Sequence, residues 1–189
     1  ALLLRVDLLK RITSDVSPIH WQYGAIARLK PGETIKKFIY GGYATLSLGY
    51  IGIYEATVLT KHCSHTAPEG RKFAMRIMDD LNAHIKKWRK ETNIGFALYG
   101  TPAENLTNLF CKIDKARFGS IPDVTDKGYY TNSYHVDVRE PINVFDKFSF
   151  EADFEDKSTG GCISYAEIPN MTHNIPAVLT MVQYIYDHI

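Results

Sequence analysis

The sequence is poor in cysteine, in long apolar runs and in net charge of either sign. Its three cysteines, Cys63, Cys111 and Cys162, are widely spaced, which predicts no disulfide framework and fits a reducing, cytoplasmic setting. No stretch approaches the roughly 18 consecutive apolar residues of a membrane span, and the apolar run 1–4 lacks the flanks of a signal peptide. Lys and Arg number 22 against 21 Asp and Glu, so we expect neither nucleic acid nor a membrane surface as a partner.

The composition favours one globular unit with a sizeable core. Of the 189 residues, 45% are hydrophobic, and a chain of this length buries roughly 70% of its unfolded surface on folding. There is no internal repeat, low-complexity tract or Gly/Ser linker, so residues 1–189 are predicted to form a single unit. Because both ends fall inside apolar helical patterns, we expect the chain to be an internal piece of a larger protein.

Predicted helices alternate with short predicted strands along the chain. This order predicts an α/β fold with a mainly parallel sheet that is covered on both faces. Helical spacing occurs over 2–13, 32–40, 68–92, 103–117, 142–152 and 173–189, with a further helix near Tyr54, and strand patterns occur from Thr45 and over 95–98, 129–138 and 162–167.

The most informative segment is GFALYGTPAENLT, residues 95–107, in which a predicted strand ends at Tyr99 and a helix follows a tight turn. Two interpretations stay open. The turn can bind phosphate, because a helix N-terminus beyond a strand end offers free N–H groups and Gly100 permits close approach. Alternatively, Thr101 is a helix cap, Pro102 the first helical residue and Glu104 the capping-box partner. The two are compatible, since a cap satisfies only part of the free N–H groups.

Two other segments are candidates for a polar cavity. Residues 124–138 carry more hydroxyl, amide and ionisable groups than a buried strand needs, and Asn132, Tyr134 or His135 could bind a ligand there. The alternative is a half-solvated edge strand. In GGCISYAE, residues 160–167, paired glycines allow close approach and Glu167 follows a predicted strand. The alternative for Glu167 is a surface acid.

A metal site is not predicted. His62 and His65 flank Cys63 in one short cluster, but the second ligand pair that zinc requires is missing. We therefore expect a solvated loop at 62–65. Cys111, inside a predicted helix, is expected to be a packing thiol rather than a nucleophile.

Several long strings resemble one enzyme family. SLGYIGIYE (47–55), GFALYGTPAENL (95–106), DKGYYTNSYHVDV (126–138) and GGCISYAEIPNMTHN (160–174) resemble the anaerobic, class III ribonucleoside-triphosphate reductases, which are glycyl-radical enzymes. WQYGAIARLKPGE (21–33) is similar to a lead-in found in many members. The resemblance covers nearly the whole chain in the same order.

The resemblance implies a fold and a reaction. The fold is the C-terminal portion of the ten-stranded α/β barrel shared by ribonucleotide reductases and other glycyl-radical enzymes. The reaction converts ribonucleoside triphosphates to 2′-deoxyribonucleoside triphosphates without oxygen. A glycyl radical, installed by an iron–sulfur activase that uses S-adenosylmethionine, passes its spin to a cysteine, and that thiyl abstracts the ribose 3′-hydrogen. Formate or a thiol system supplies the electrons.

The resemblance also implies roles for residues of this chain. The stretch from Tyr99 to Glu104 matches the family's Y-x-T-P-x-E active-site loop, which implies that these two side chains are catalytic. The implied phosphate-binding residues are Gly100, Thr101, Ala103, Glu104 and Asn105, and the implied cavity-lining residues are Asn132, Tyr134, His135, Tyr165 and Glu167.

Other parts of the family pattern are missing from this sequence. It contains no radical-glycine string, zinc-binding C-x-x-C pair, finger-loop cysteine or N-terminal nucleotide-binding region. We expect the parent protein, typically a homodimer, to carry the glycyl radical, a structural zinc and ATP or deoxynucleotide effector sites. The isolated segment is expected to be inactive and prone to aggregation. Two alternatives remain: a non-catalytic nucleotide-binding relic, and another glycyl-radical enzyme with a non-nucleotide substrate.

Overall fold

The computed structural model describes residues 1–100 and 102–189. Thr101 lies outside the described residues, so its expected roles stay predictions. The elements in chain order are α1 (Leu2–Leu9), a 3-10 turn (Ser14–Val16), α2 (Pro18–Trp21), a second 3-10 turn (Ile35–Phe38), β1 (Thr45–Gly49), α3 (Ile53–Lys61), α4 (Pro68–Thr92), β2 (Gly95–Tyr99), α5 (Glu104–Phe118), α6 (Val144–Glu155) and α7 (Ile175–His188).

Most predicted helices are confirmed, and α4 has the predicted bounds. Its apolar residues recur at helical spacing, and Ala74, Met78 and Ile85 are at most 1% exposed, because one stripe of the helix faces the core. Two predicted helices are longer than the observed elements. The helix over 2–13 ends at Leu9, and the helix over 32–40 is a single 3-10 turn.

The two strands form a short parallel sheet. Gly95 lies beside Thr45 and Gly49 lies beside Tyr99, so both strands run in the same direction. Helices α3 and α4 make the crossover between them, as parallel strands require. The centre of β2 is fully buried, which explains its continuous apolar run.

The predicted strands over 129–138 and 162–167 are wrong: in the described residues these segments make only isolated bridges, Ile51 to Asn132 and Gly100 to Cys162. The backbone of the first segment bonds instead to the start of α3, where Gly52 N–H donates to the Thr131 carbonyl. Ser133 has a φ of 40°, a left-handed conformation that interrupts an extended strand.

Contacts divide the chain into two compact units. One comprises Ala1–Leu48 with Ala83–Ala97, and the other comprises Gly49–Asn82 with Leu98–Ile189. The expectation of one structural unit stays a prediction. Every candidate site residue that the structure describes lies in the second unit. None of the helices in the described residues combines the length and apolarity that crossing a bilayer needs.

Candidate functional site

The turn after β2 is closely packed around Gly100. Its N–H donates to the Gly161 carbonyl at 3.0 Å, and its own carbonyl accepts from the Ile163 N–H at 3.3 Å. A Cβ on Gly100 would lie 2.8 Å from the Tyr134 ring and 2.9 Å from the Ser158 hydroxyl. Only glycine therefore fits this turn, because neighbouring side chains occupy the space of a larger residue.

The predictions for Pro102 and Glu104 at the start of α5 are wrong. Pro102 lies outside the helix, Ala103 is the N-cap, and Glu104 is the first helical residue instead of the third. Ala103 has no side chain that could cap the helix, and its φ and ψ of −114° and 40° lie outside the helical region. Its own N–H donates to Asn132 Oδ1 at 2.9 Å.

The first turn of α5 carries backbone N–H groups that have no acceptor in the described part of the chain. The backbone N–H groups of Glu104 and Asn105 donate to no described residue, and both side chains are exposed. Tyr99, at the end of β2, is half-buried. Uncapped N–H groups at a helix start carry the positive end of the helix dipole and favour an anion.

In the segment after α5, residues 133–137 are buried and form no strand, so the expectation of a half-solvated edge strand is also wrong. His135 is only 6% exposed, and Tyr134 is fully buried. The His135 ring stacks between Tyr134, at 4.9 Å, and Tyr165, at 5.6 Å. Its Nδ1 donates to the Asn132 carbonyl at 2.9 Å, which leaves Nε2 buried without a partner.

A cavity of about 380 Å³ brings four of the five predicted lining residues together, namely Asn132, His135, Tyr165 and Glu167. Helix α5 contributes Thr107 to its wall. Glu167 is both exposed and part of the lining, so the two interpretations of this acid are compatible.

Tyr134 does not line the cavity. Its hydroxyl lies in the core, 3.2 Å from Ser164 Oγ and 3.4 Å from Glu155 Oε1. Burial raises the pKa of Tyr134 above its ordinary value, more than the hydrogen bond with Ser164 lowers it. The phenol therefore stays neutral and acts as a hydrogen-bonding core residue.

A buried charged cluster supports this segment. Lys127 Nζ contacts Glu55 Oε1 at 2.6 Å, Asp137, and Thr131 Oγ1 at 3.0 Å, and all three charged side chains are at most 4% exposed. Arg139 donates to the other oxygen of Asp137 at 2.9 Å. Burial favours the neutral acid, but the hydrogen bonds from Arg139 and Lys127 outweigh it and lower the pKa of Asp137 to about 2.

A second buried acid lies near the cavity wall. Glu151 is fully buried, and its Oε1 accepts from Lys147 Nζ at 2.5 Å and from the Val136 N–H at 3.0 Å. Sequence reasoning missed both charged clusters. The sequence does carry a signal that Glu55 and Asp137 are buried. Glu55 directly follows Tyr54 and Asp137 directly follows Val136, and both neighbours are often found in protein cores.

The loop expected at 62–65 is present and His62 is exposed, but His65 departs from the expectation. His65 is fully buried rather than solvated, with Nε2 donating to the Tyr134 carbonyl at 2.8 Å. Cys111 is also fully buried, as expected of a packing thiol. No group of three or more His, Cys, Asp or Glu residues that could hold a metal ion occurs among residues 1–100 and 102–189.

Comparison with known proteins places this geometry in a family. A family model described as anaerobic ribonucleoside-triphosphate reductase matches residues 1–189. The chain is 43% identical to the enzyme of that name from Enterobacteria phage T4 and 40% identical to that of Escherichia coli K12, in each case over the whole chain. It spans only 30% and 27% of the length of these two relatives.

Solved structures agree on the fold. The anaerobic ribonucleotide reductase from Thermotoga maritima with dATP bound in the specificity site is similar over 99% of this chain and 31% of its own, with a TM-score of 0.67 and 18% identity. A second anaerobic ribonucleotide reductase gives a TM-score of 0.69 over 99% of this chain and 29% of its own, also at 18% identity. The fold is thus a portion of the reductase barrel. From the match along its full length, the chain belongs to the anaerobic ribonucleoside-triphosphate reductase family.

Proposed function

We propose that the protein containing this chain reduces ribonucleoside triphosphates to 2′-deoxyribonucleoside triphosphates without oxygen, and that this chain supplies the phosphate-binding turn and part of the barrel wall. The observation that carries the proposal is the start of α5 at the carboxyl end of β2, where no described side chain caps the helix. This is the edge of a parallel sheet at which ligands bind.

The N–H groups of Glu104 and Asn105 are the proposed phosphate donors. They donate to no described residue, and a phosphate at this position would gain charge-assisted hydrogen bonds together with the favourable helix dipole. The N–H groups of Gly100 and Ala103 already donate to Gly161 and Asn132, so we assign these two residues a different part in the site. Their role is to shape the turn.

Tyr99 and Glu104 are the proposed catalytic side chains. The Tyr99 ring packs close to Gly161, where a Cβ would lie 3.3 Å from it, so the ring has a defined position at the strand end. Glu104 is exposed at the start of α5, which leaves its carboxylate accessible to a bound nucleotide. A carboxylate and a phenol are both able to transfer protons during ribose chemistry.

The cavity is proposed to receive the remainder of the nucleotide. In the tautomer whose Nδ1 donates to the Asn132 carbonyl, Nε2 of His135 is the hydrogen-bond acceptor of the ring. A ligand hydroxyl or amino group would supply its missing donor. Tyr165 and Glu167 on the wall offer further polar contacts.

The remaining requirements of the reaction are assigned to the parent protein and its partners. The proposed parent is a cytoplasmic homodimer with a glycyl radical, ATP or deoxynucleotide effectors, an S-adenosylmethionine-dependent iron–sulfur activase and formate or a thiol as reductant. The family also implies a structural zinc. The described residues of this chain do not fit one, because no metal-binding group occurs among them, and none of the roles above depends on it.

Two Glu104 variants of the full-length protein test the phosphate site. Glu104→Pro and Glu104→Ala both remove the side chain, but only proline removes the backbone N–H, and proline is tolerated at the first helical position. We expect Glu104→Pro to bind a ribonucleoside triphosphate about tenfold more weakly than Glu104→Ala, since a hydrogen bond to a charged group is lost. Affinity for the unphosphorylated nucleoside should be equal in both. Equal triphosphate affinities measured by calorimetry would refute the site.

A further inference from the structure

Asn132 is the one described residue whose side chain accepts a backbone N–H at the start of α5. Its Oδ1 accepts the Ala103 N–H at 2.9 Å, and Ala103 has no cap of its own. Glu104 and Asn105 follow directly. The conformation of the open N–H groups therefore depends on a contact that reaches across 29 positions of sequence.

The backbone around Asn132 is fixed on both sides. Thr131 donates its N–H to buried Glu55 at 2.6 Å, and its carbonyl accepts the Gly52 N–H at 2.9 Å. On the other side, the Ser133 carbonyl accepts the Ile53 N–H at 3.2 Å. Side-chain positions built on such an immobilised backbone are well defined, as a supporting residue requires.

The Asn132 carbonyl is also engaged. It accepts both the backbone N–H and the ring Nδ1 of His135, each at 2.9 Å. One residue thus bonds through its side chain to the α5 start and through its carbonyl to a cavity-wall imidazole. Asn132 itself lines the cavity.

Resting on the proposed function, we propose that Asn132 is a positioning residue for the phosphate site: it holds Ala103 so that the N–H groups of Glu104 and Asn105 converge on a phosphate. The buried Glu55 carboxylate fixes the backbone from which Asn132 acts. Loss of the Asn132 oxygen leaves the Ala103 N–H unpaired and loosens the turn.

The chain offers a matched control in Asn108. This residue also links α5 to the same segment, since its Nδ2 donates to the Gly128 carbonyl at 2.8 Å. However, it does so one turn further along the helix, away from the open N–H groups. Asn132→Leu and Asn108→Leu each remove one such bond with a side chain of similar size.

Hydrogen–deuterium exchange of the full-length protein without nucleotide gives the first readout. We expect Asn132→Leu to speed exchange in peptides covering 99–108, and we expect Asn108→Leu to leave the amide of Ala103 protected. Asn132→Asp keeps the acceptor oxygen, so its exchange in this region should stay slow. Slow exchange in Asn132→Leu, or equally fast exchange in Asn132→Leu and Asn132→Asp, would overturn the proposal.

Triphosphate affinity gives the second readout. Asn132→Leu should weaken ribonucleoside triphosphate binding about tenfold more than it weakens nucleoside binding, corresponding to one hydrogen bond, and Asn108→Leu should bind both ligands as wild type. Equal losses of triphosphate affinity in Asn132→Leu and Asn108→Leu would show that both residues only support α5 in general, which would overturn the positioning role. Unchanged affinity in Asn132→Leu would overturn it as well. The Glu104 variants distinguish this outcome from failure of the proposed phosphate site. If that site is wrong, Glu104→Pro and Glu104→Ala bind the ribonucleoside triphosphate with equal affinity.

Discussion

At the scale of single residues, His65 shows how burial changes an ionisable group. Its ring packs edge-on against Tyr54 and Phe150, at 5.7 and 5.0 Å, and its Nδ1 is buried without a partner. Burial lowers the pKa of His65 below its ordinary 6.5, outweighing the hydrogen bond to Tyr134 and the nearby acids. Protonation therefore disfavours the folded state.

The predicted consequence is a pH-dependent stability. Because the unfolded chain binds this proton more readily, the stabilisation is present above about pH 6.5 and decreases as the pH falls toward the lowered folded-state value. The His65→Phe variant keeps an aromatic ring but cannot titrate. Its melting temperature in the full-length protein should fall less between pH 7.5 and 5 than that of the wild type. His173→Phe, at an exposed position, is the control, and parallel curves for His65→Phe and wild type would contradict the account.

Gly100 gives a second prediction at this scale. In a Gly100→Ala variant, the added methyl would meet the Tyr134 ring and the Ser158 hydroxyl at under 3 Å, so overpacking should cost about 1–3 kcal/mol. In Gly49→Ala the methyl meets only the Tyr99 carbonyl, at 3.9 Å. Chemical denaturation of the full-length variants should show the loss for Gly100→Ala alone. Equal stabilities would mean that the turn relaxes freely.

At the scale of elements, the helices could be predicted but the polar segments could not. The period of α4 is visible in its own residues, because one stripe is apolar along its whole length. The segment 129–138 depends on partners far away in sequence, such as Glu55 and Gly52, and no local pattern reveals these. The polar composition of the segment predicts Asn132 as a cavity residue. Its bond to Ala103 could not be predicted, because Ala103 is also distant in sequence.

The buried charged cluster supports a prediction about this segment. Removing the ammonium in Lys127→Met leaves the carboxylates of Glu55 and Asp137 buried with less compensation, which should cost about 3–5 kcal/mol. Lys72→Met removes a lysine whose partner Glu69 is 75% exposed, and this change should leave the stability nearly unchanged, because solvent screens the pair. Thermal unfolding of the full-length variants compares the two. Similar small losses would show that the cluster does not stabilise the fold.

At the scale of the whole molecule, the chain spans 27–30% of the length of its curated relatives, and α7 presents an apolar surface. Leu179, Val182 and Tyr186 are 63%, 58% and 84% exposed. Such a surface favours association, so we predict that residues 1–189 alone self-associate in light scattering. Replacing these three residues with Lys should reduce the association. A monodisperse monomer of the unmodified chain would contradict this prediction.

The central claim is that the turn after β2 belongs to the active site of a reductase. The most direct test is an anoxic assay of the activated full-length protein, in which formation of 2′-deoxyribonucleoside triphosphate is measured for wild type and Glu104→Gln. Gln keeps the size of the side chain but cannot transfer a proton. We expect product from the wild type and a loss of about a hundredfold or more in the variant, with unchanged melting temperature because Glu104 is exposed. A wild-type rate in Glu104→Gln, or no product from the activated wild type, would contradict the claim.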